Sequence, residues 1–310
     1  IVVEATGNPE IGARIAVDAI ARGTHVAMAS KEPDSVVGPH LNHLATQKGL
    51  VYTAVDGDQP ANLIGLVTWA RLLGLEVVAA GKSILTAADL AAQHFLAREL
   101  GNLADLPILG EEMPEDEQQA ALAAGAAGLW CFDPVDGTTN FLVGLSHFAV
   151  SVALLQDGQP LLGVTYAPIS DEMFSAVRGG GAWLNGERLP LRRPDSSLAR
   201  AVVLVDLKRL PPALAAALAA APPYYSQRNL GSSVLEWCYL AAGRVDALLH
   251  GGQRPWDFAA GSLMLREAGG LVATLDQGDF DAAPFWRRSA IAAIDPTVFA
   301  DWRAWLAARR

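Results

Sequence analysis

The sequence predicts an α/β protein in two unequal units, and three observations carry that reading. Through roughly the first eighty residues, short apolar strands alternate with helices closed by glycine, a rhythm that implies right-handed crossovers and a parallel sheet. Further on, the apolar runs Leu106–Leu109 and Leu129–Phe132 end in carboxylates, so acidic groups collect where strands open into loops. At 310 residues and 51% hydrophobic, the chain can bury two cores, one of about 80 and one of about 230 residues.

In order, Ile1–Gly7 reads as a buried strand, Asn8-Pro9-Glu10 caps a helix that runs to Arg22 and stops at Gly23, and Thr24–Ala29 is the next strand. Pro39–Lys48 is helical up to Gly49, Leu50–Val55 is a strand, Pro60–Leu73 is a helix stopped by Gly74, and Leu75–Ala80 is a fourth strand. A dinucleotide site of this type needs a G-x-G-x-x-G turn, whose glycines let the backbone approach a pyrophosphate at a helix N-terminus. Gly7-Asn8-Pro9-Glu10-Ile11-Gly12 has neither the spacing nor the freedom, because it contains a proline. No NAD(P) site is expected here, and an oxidoreductase is the least favoured of the functional readings.

Leu85-Thr86-Ala87-Ala88-Asp89 then opens a helical pattern, and Gly110-Glu111-Glu112 follows a strand. Asp133-Pro134-Val135-Asp136-Gly137-Thr138-Thr139 sets two carboxylates ahead of a glycine, hydroxyls and free amides, an arrangement suited to a hard cation held against a phosphate. Pro255-Trp256-Asp257-Phe258 puts another aspartate at the mouth of an apolar helix, Phe258–Ala268. Each feature also has a plainer reading. Asp-Gly marks ordinary turns. Glu111 and Glu112 read equally as a solvated edge leading to Glu115-Asp116-Glu117. Thr86 with Asp89 reads as a capping pair, and Asp257 as an N-cap.

Taken in this order, the four segments resemble the inositol monophosphatase family of magnesium-dependent, lithium-sensitive phosphatases, from about Lys82 to Arg310. His147–Leu154 looks like the strand after the family's metal loop and Gly179–Gly186 like its hairpin, while Gly231-Ser232-Ser233 and Ala242–Ala247 look like the helix and strand that lead to the last ligand. The resemblance implies a layered α/β/α/β/α sandwich. It implies Glu111, Asp133, Asp136 and Asp257, with the Val135 carbonyl, as ligands of roughly two or three magnesium ions. Thr138 with Glu111 would position and help deprotonate the attacking water, with Asp89 orienting the threonine. Asp136, Gly137, Thr138, Thr139, Gly231 and Ser232 would meet the phosphate or substrate. The implied chemistry is in-line displacement by an activated water, with no covalent phosphoenzyme.

His250 occupies the place where animal members carry a glutamate that contacts inositol hydroxyls, so it either faces the leaving group or is a satisfied loop histidine. Thr139-Asn140-Phe141 is the monophosphatase form, favouring a small sugar or polyol phosphate over the substrates of 3'(2'),5'-bisphosphate nucleotidases, the alternative within the superfamily. A non-catalytic metal-binding remnant is a further alternative. Residues 1–81 resemble part of a homoserine-dehydrogenase-like NAD(P)-binding domain, at Glu4-Ala5-Thr6-Gly7 and Asp56-Gly57-Asp58-Gln59-Pro60. With Ile1 already inside a strand and no long helix ahead of Thr86, the expectation is a truncated Rossmann-like βαβ fragment, 1–81, fused to a phosphatase domain, 82–310, lacking its first helix.

Net charge −10 speaks against a nucleic-acid surface, which needs basic groups to displace counterions. The expected partner is a small phosphorylated metabolite, and the resemblance admits a homodimer. Cys131 and Cys238 sit in apolar runs and read as free buried thiols, which points to a cytoplasmic setting. Leu210–Pro223 is too short to span a membrane, and no signal peptide is apparent.

Overall fold

The structure, a computed structural model, describes residues 2–4, 9–28, 40–54, 78–80, 83–85, 87–192 and 197–309. It falls into two compact units, Ile1–Leu75 and Glu76–Arg310. In the first, β1 (Val2–Glu4), α1 (Pro9–Ala21), β2 (Val26–Met28), α2 (residues 40–47) and β3 (Tyr52–Ala54) alternate as the sequence predicts. The strands pair in parallel in the order β1-β2-β3, since each connection carries a helix long enough to return the chain to the same edge. Ala16, Ile20, Leu41 and Ala45, one helical turn apart in each pair, close over Val26. Gly7 and Asn8, the Asp56–Pro60 segment, the helix expected over Pro60–Leu73 and Thr86 lie outside the described residues.

The expected fourth strand behaves differently. Its described part, β4 (Val78–Ala80), pairs antiparallel with β5 (Ser83–Leu85), apart from the parallel sheet. Only two residues separate these strands, whereas a parallel neighbour needs a crossover of roughly a dozen or more. The units accordingly part after Leu75, ahead of the expected boundary at 81.

The second unit opens with α3 (Ala87–Leu103), β6 (Ile108–Gly110), α4 (Glu115–Ala124), β7 (Leu129–Asp136) and α5 (Thr138–Val143). A meander follows: β8 (Ala149–Gln156), β9 (Gln159–Ala167), β10 (Glu172–Val177), β11 (Gly181–Leu184) and β12 (Glu187–Arg188). These form a seven-stranded sheet, antiparallel except where β6 lies alongside β7. The chain continues through β13 (Val202–Val205), α6 (Pro212–Ala220), β14 (Ser226–Arg228), α7 (Ser233–Ala241), β15 (Ala247–Gln253), α8 (Pro255–Glu267), β16 (Leu271–Ala273), β17 (Arg288–Ala293) and α9 (Pro296–Ala307). Its five-stranded sheet runs β14-β13-β15-β17-β16, parallel at β13 and antiparallel at β17.

Burial explains the stacking. Leu100 of α3 packs on Trp130 and Phe132, the outer face of the large sheet. Its inner face, including Leu109, Cys131 and Phe174, meets α7 and α8 through Trp237, Phe258 and Met264, which also touch Leu204, Leu248 and Ala292 of the small sheet. The far face of that sheet, Val203, Val205, Leu249 and Ile291, is closed by Leu214 and Leu218 of α6 and by Val298 and Trp302 of α9. The result is the expected α/β/α/β/α sandwich. Strands covered on both faces read as unbroken apolar runs, and α8, between two sheets, is apolar almost all round. Both cysteines are free and buried, and among the described residues no helix is long and apolar enough to cross a membrane.

Gly261, in the middle of α8, tests how tight this layer is. A Cβ there would lie 2.2 Å from Cβ of Trp237. Gly261→Ala would gain about 1 kcal/mol in helix propensity, but overpacking a filled core costs about 1–3 kcal/mol, and here neither helix can withdraw. The expected outcome is a net loss of stability in chemical denaturation, and a more stable variant would show that the two helices part easily.

Candidate metal centre

Two carboxylates three residues apart on a regular strand would face opposite sides of the sheet. β7 avoids this with a bulge. Asp133 lies opposite Ser151 and Asp136 opposite Ala149, so three steps along β7 match two along β8, and both aspartates turn the same way. Pro134, inside the bulge, has no N–H to leave unpaired. Gly137 ends the strand at φ +90°, and a Cβ there would come 2.8 Å from the carbonyl oxygen of His147.

Asp257 arrives from the other side of the core. The helix starts earlier than expected, at Pro255, with Arg254 as N-cap. Asp257 is therefore not itself the N-cap but reaches back to accept the Arg254 N–H at 2.7 Å. Glu111 follows β6 and is held from the backbone: Gln118 Nε2 donates to the carbonyls of Gly110 and Glu111, both at 2.9 Å. The solvated-edge reading fits Glu115, Asp116 and Glu117, which are exposed on the first turn of α4, but not half-buried Glu111.

One oxygen each of Asp133, Asp136 and Asp257 lie within 4.8 Å of one another, and Glu111 is close enough for its charge and that of Asp257 and Asp133 to act on one another. Asp136 accepts from Ser232 Oγ at 2.6 Å, from the Val234 N–H at 2.8 Å and from the Gly137 N–H. The Ser232 hydroxyl also accepts the Leu235 N–H at 3.4 Å as N-cap of α7, so Ser232 braces Asp136. Thr138 Oγ1 lies 3.2 Å from Asp89 Oδ1, with Asp89 1% exposed in the first turn of α3, and 3.1 Å from the Val135 carbonyl. Thr139 stands exposed, and Gly231 lines the cavity rim.

Burial raises every carboxyl in the cluster. Glu111 moves up to about 8, helped by the charge of Asp257. Asp257 moves to about 7, helped by Asp136, and Asp133 rises well above the ordinary carboxylate range by burial and by Glu111. Asp136, with its three donors, rises only to about 6. Asp133 Oδ2 is buried without a hydrogen-bond partner. An unpartnered carboxylate oxygen among converging acids fits a divalent cation, which takes hard oxygen ligands and removes their repulsion.

A cavity of about 560 Å³ opens beside Glu111, Asp136 and Asp257. His250 lines it at 5% exposure, with Nδ1 accepting the Gly252 N–H at 3.1 Å and Nε2 3.7 Å from Asp206 Oδ2. Burial, with nearby cations, pushes its pKa down to about 3, so the ring is neutral. It is thus part of the wall, with Nδ1 satisfied by the loop backbone. The sequence did not disclose Gln118, nor Asn140, whose Nδ2 donates to the carbonyls of His147 at 2.6 Å and Leu230 at 2.7 Å and ties the metal loop to the approach to α7. Nor did it disclose Glu236, buried in the same wall and accepting the Leu230 N–H. In each case the partner is remote or is backbone, and only a polar residue in an otherwise apolar helix face marks Glu236.

Comparison with known proteins agrees with this geometry. A sequence model of the inositol monophosphatase family matches residues 71–306. The chain is 42% identical over 154 residues to Nus factor SuhB of Pasteurella multocida, covering 48% of this chain and 57% of that protein. It is 37% identical over 177 residues to inositol-1-monophosphatase of Mesorhizobium japonicum, covering 53% of this chain and 63% of that one. The chain therefore spans less than two thirds of these relatives' length. Among solved structures, extragenic suppressor protein suhB from Bartonella henselae superposes with TM-score 0.67 at 30% identity, covering 79% of this chain and 92% of that one. An IMPase from Thermotoga maritima gives 0.66 at 27%, covering 79% and 93%.

The raised carboxyls fix a pH dependence. Groups whose folded pKa exceeds the unfolded value bind more protons when folded, so without metal stability is greatest below the ordinary carboxylate pKa and falls as pH rises to about 8, the Glu111 value. Magnesium needs the deprotonated ligands, so its stabilisation grows over the same interval. Thermal melts of the chelated chain should decline from pH 5 to 8, and magnesium should restore more at pH 8 than at pH 5. A chelated chain whose melting temperature climbs over that range would contradict the assignment.

Proposed function

The chain belongs to the inositol monophosphatase family, and from that premise we propose that it is a magnesium-dependent phosphomonoesterase acting on a small sugar or polyol phosphate. The observation that carries the proposal is the convergence of Glu111, Asp133, Asp136 and Asp257 beside the Thr138–Asp89 contact. The four carboxylates, with the Val135 carbonyl, would hold the metal. Bound there, magnesium supplies the positive charge that makes a water acidic enough to attack phosphorus and that offsets charge on the leaving oxygen.

The chain's own groups do the rest. The Thr138 hydroxyl, donated to Asp89, keeps its oxygen lone pairs for the attacking water, and Glu111 receives that water's proton. In this reading the Thr138 amide and the exposed Thr139 hydroxyl would hold phosphate oxygens, while the Gly137 amide is committed to Asp136. Neutral His250 offers an Nε2–H to the leaving group, a donor where a carboxylate would be an acceptor. Both cysteines are buried with raised thiol pKa values, which leaves no thiolate nucleophile in this reading. Residues 1–81 are read as a Rossmann-like fragment without a dinucleotide site.

A second reading, a metal-binding protein without turnover, is favoured by one observation: the relative from Pasteurella multocida carries the name of a Nus factor. Turnover separates the two. With magnesium, glycerol 2-phosphate should be hydrolysed, chelation should abolish the activity, and Asp257→Asn should cost more than the roughly 10–100-fold that losing a supporting group costs a metal site. Hydrolysis that survives chelation, or near-normal rates in Asp257→Asn, would overturn the proposal. Lithium at millimolar concentration should inhibit at fixed magnesium, and a flat titration would remove the chain from the lithium-sensitive branch.

A further inference from the structure

Around His250 the cavity gathers positive charge that the phosphatase chemistry does not use. Lys208 and Arg209, in the turn after β13, and Arg287, just before β17, line the cavity close enough to act electrostatically on the imidazole. Two glycines make the gathering fit. A Cβ on Gly251 would lie 1.8 Å from the carbonyl oxygen of Arg209, and one on Gly252 would lie 2.5 Å from Nε of Arg287. Arg254 completes the set and lies over the Trp286 ring at 4.7 Å. Both Arg209 and Arg254 act on Asp257, so the cationic wall adjoins the metal centre.

Acids answer part of this charge. Asp206 lies 3.9 Å from Lys208 Nζ and 3.8 Å from Arg209 Nε. Glu236 is raised by burial to about 8 and contributes little negative charge near neutrality. Among the described residues Arg287 has neither ion pair nor hydrogen bond, and the Arg254 guanidinium lies over the Trp286 ring and acts on Asp257 without an ion pair to it. Gln253 Nε2 and Trp256 Nε1, on residues that line the cavity, are buried without a partner. Glu112 and Glu115, beside Glu111 in the chain, line the same cavity, so the donors and cations around His250 share it with acids.

Building on the phosphomonoesterase reading, we propose that the substrate's leaving group carries a second anionic group, a phosphate or a carboxylate, gripped by Arg287 and Lys208 with Arg254 beside them. Guanidinium groups match both anions with forked hydrogen bonds, whereas a neutral polyol leaves their charge unanswered. A nucleobase fits less well. The cavity's two indoles pack edge to face at 5.9 Å, and Arg254 already covers Trp286.

Matched esters test this. The magnesium-loaded chain is given 2-phosphoglycerate against glycerol 2-phosphate, and fructose 1,6-bisphosphate against fructose 1-phosphate, with adenosine 3',5'-bisphosphate as the nucleotide arm. In at least one pair the anionic member should be preferred about tenfold or more in kcat/KM, the scale of a hydrogen bond to a charged group, and the pair that responds tells phosphate from carboxylate. Arg287→Ala, at an exposed position, should collapse that ratio toward unity, and Arg287→Lys should retain part of it. Calorimetric binding of the same pairs reads the second anion without turnover. Equal affinities within both pairs, a ratio untouched by Arg287→Ala, or a preference for the nucleotide that Arg287→Ala leaves unchanged would overturn the proposal. An affinity difference that persists when no ester is hydrolysed would uphold the anion subsite and overturn the phosphatase reading alone.

Discussion

Holding four carboxylates together, partly withdrawn from water, is the constraint on which the rest of the second unit depends. Desolvation and mutual repulsion both oppose the arrangement, and Glu111, Asp133 and Asp257 answer it without metal by shifting toward their protonated forms. Each acid is fixed by groups that do not move independently of the core. Asp136 has a hydroxyl and two backbone amides, Asp257 has the first turn of its own helix, and Glu111 has its backbone pinned by Gln118. The site therefore inherits its rigidity from elements buried for other reasons.

The five-layer packing follows from the same need. α8 serves the core and the metal centre at once: its body fills the space between the sheets, and its first turn delivers Asp257. α7 does likewise, since Ser232 caps the helix and braces Asp136 while Trp237 and Leu240 sit in the core. Asn140 joins the two halves of the arrangement by spanning from the metal loop to Leu230. Fold stability and ligand geometry are therefore coupled through a few side chains at helix starts.

The cavity is electrically two-sided, with the acids of the candidate metal centre converging from one direction and cations clustered around a neutral histidine from another. This polarity suits a substrate that is anionic throughout. In a protein of net charge −10 the cations around His250 make the local charge of that part of the cavity differ from the overall one.

Much of this was legible in the sequence because it depends on local chemistry. Apolar runs that end in acids mark strand ends, a proline and a glycine punctuate the metal loop, and strand–helix alternation in the first unit is read from periodicity; the ordered segments from Asp89 to Asp257 carried the resemblance to the family. Pairing across the chain was not legible. Residue spacing does not reveal the bulge that turns Asp133 and Asp136 to one side, the antiparallel return of Val78–Ala80, or the bond from Ser232 to Asp136. Nor could Lys208, Arg254 and Arg287 be joined beforehand, because they lie on separate loops and each alone reads as a solvated charge. Sequence determined which groups the chain possesses and which elements end beside them; only the tertiary structure decided which of those ends meet, because burial of the two sheets against α7 and α8 brings them into one cavity.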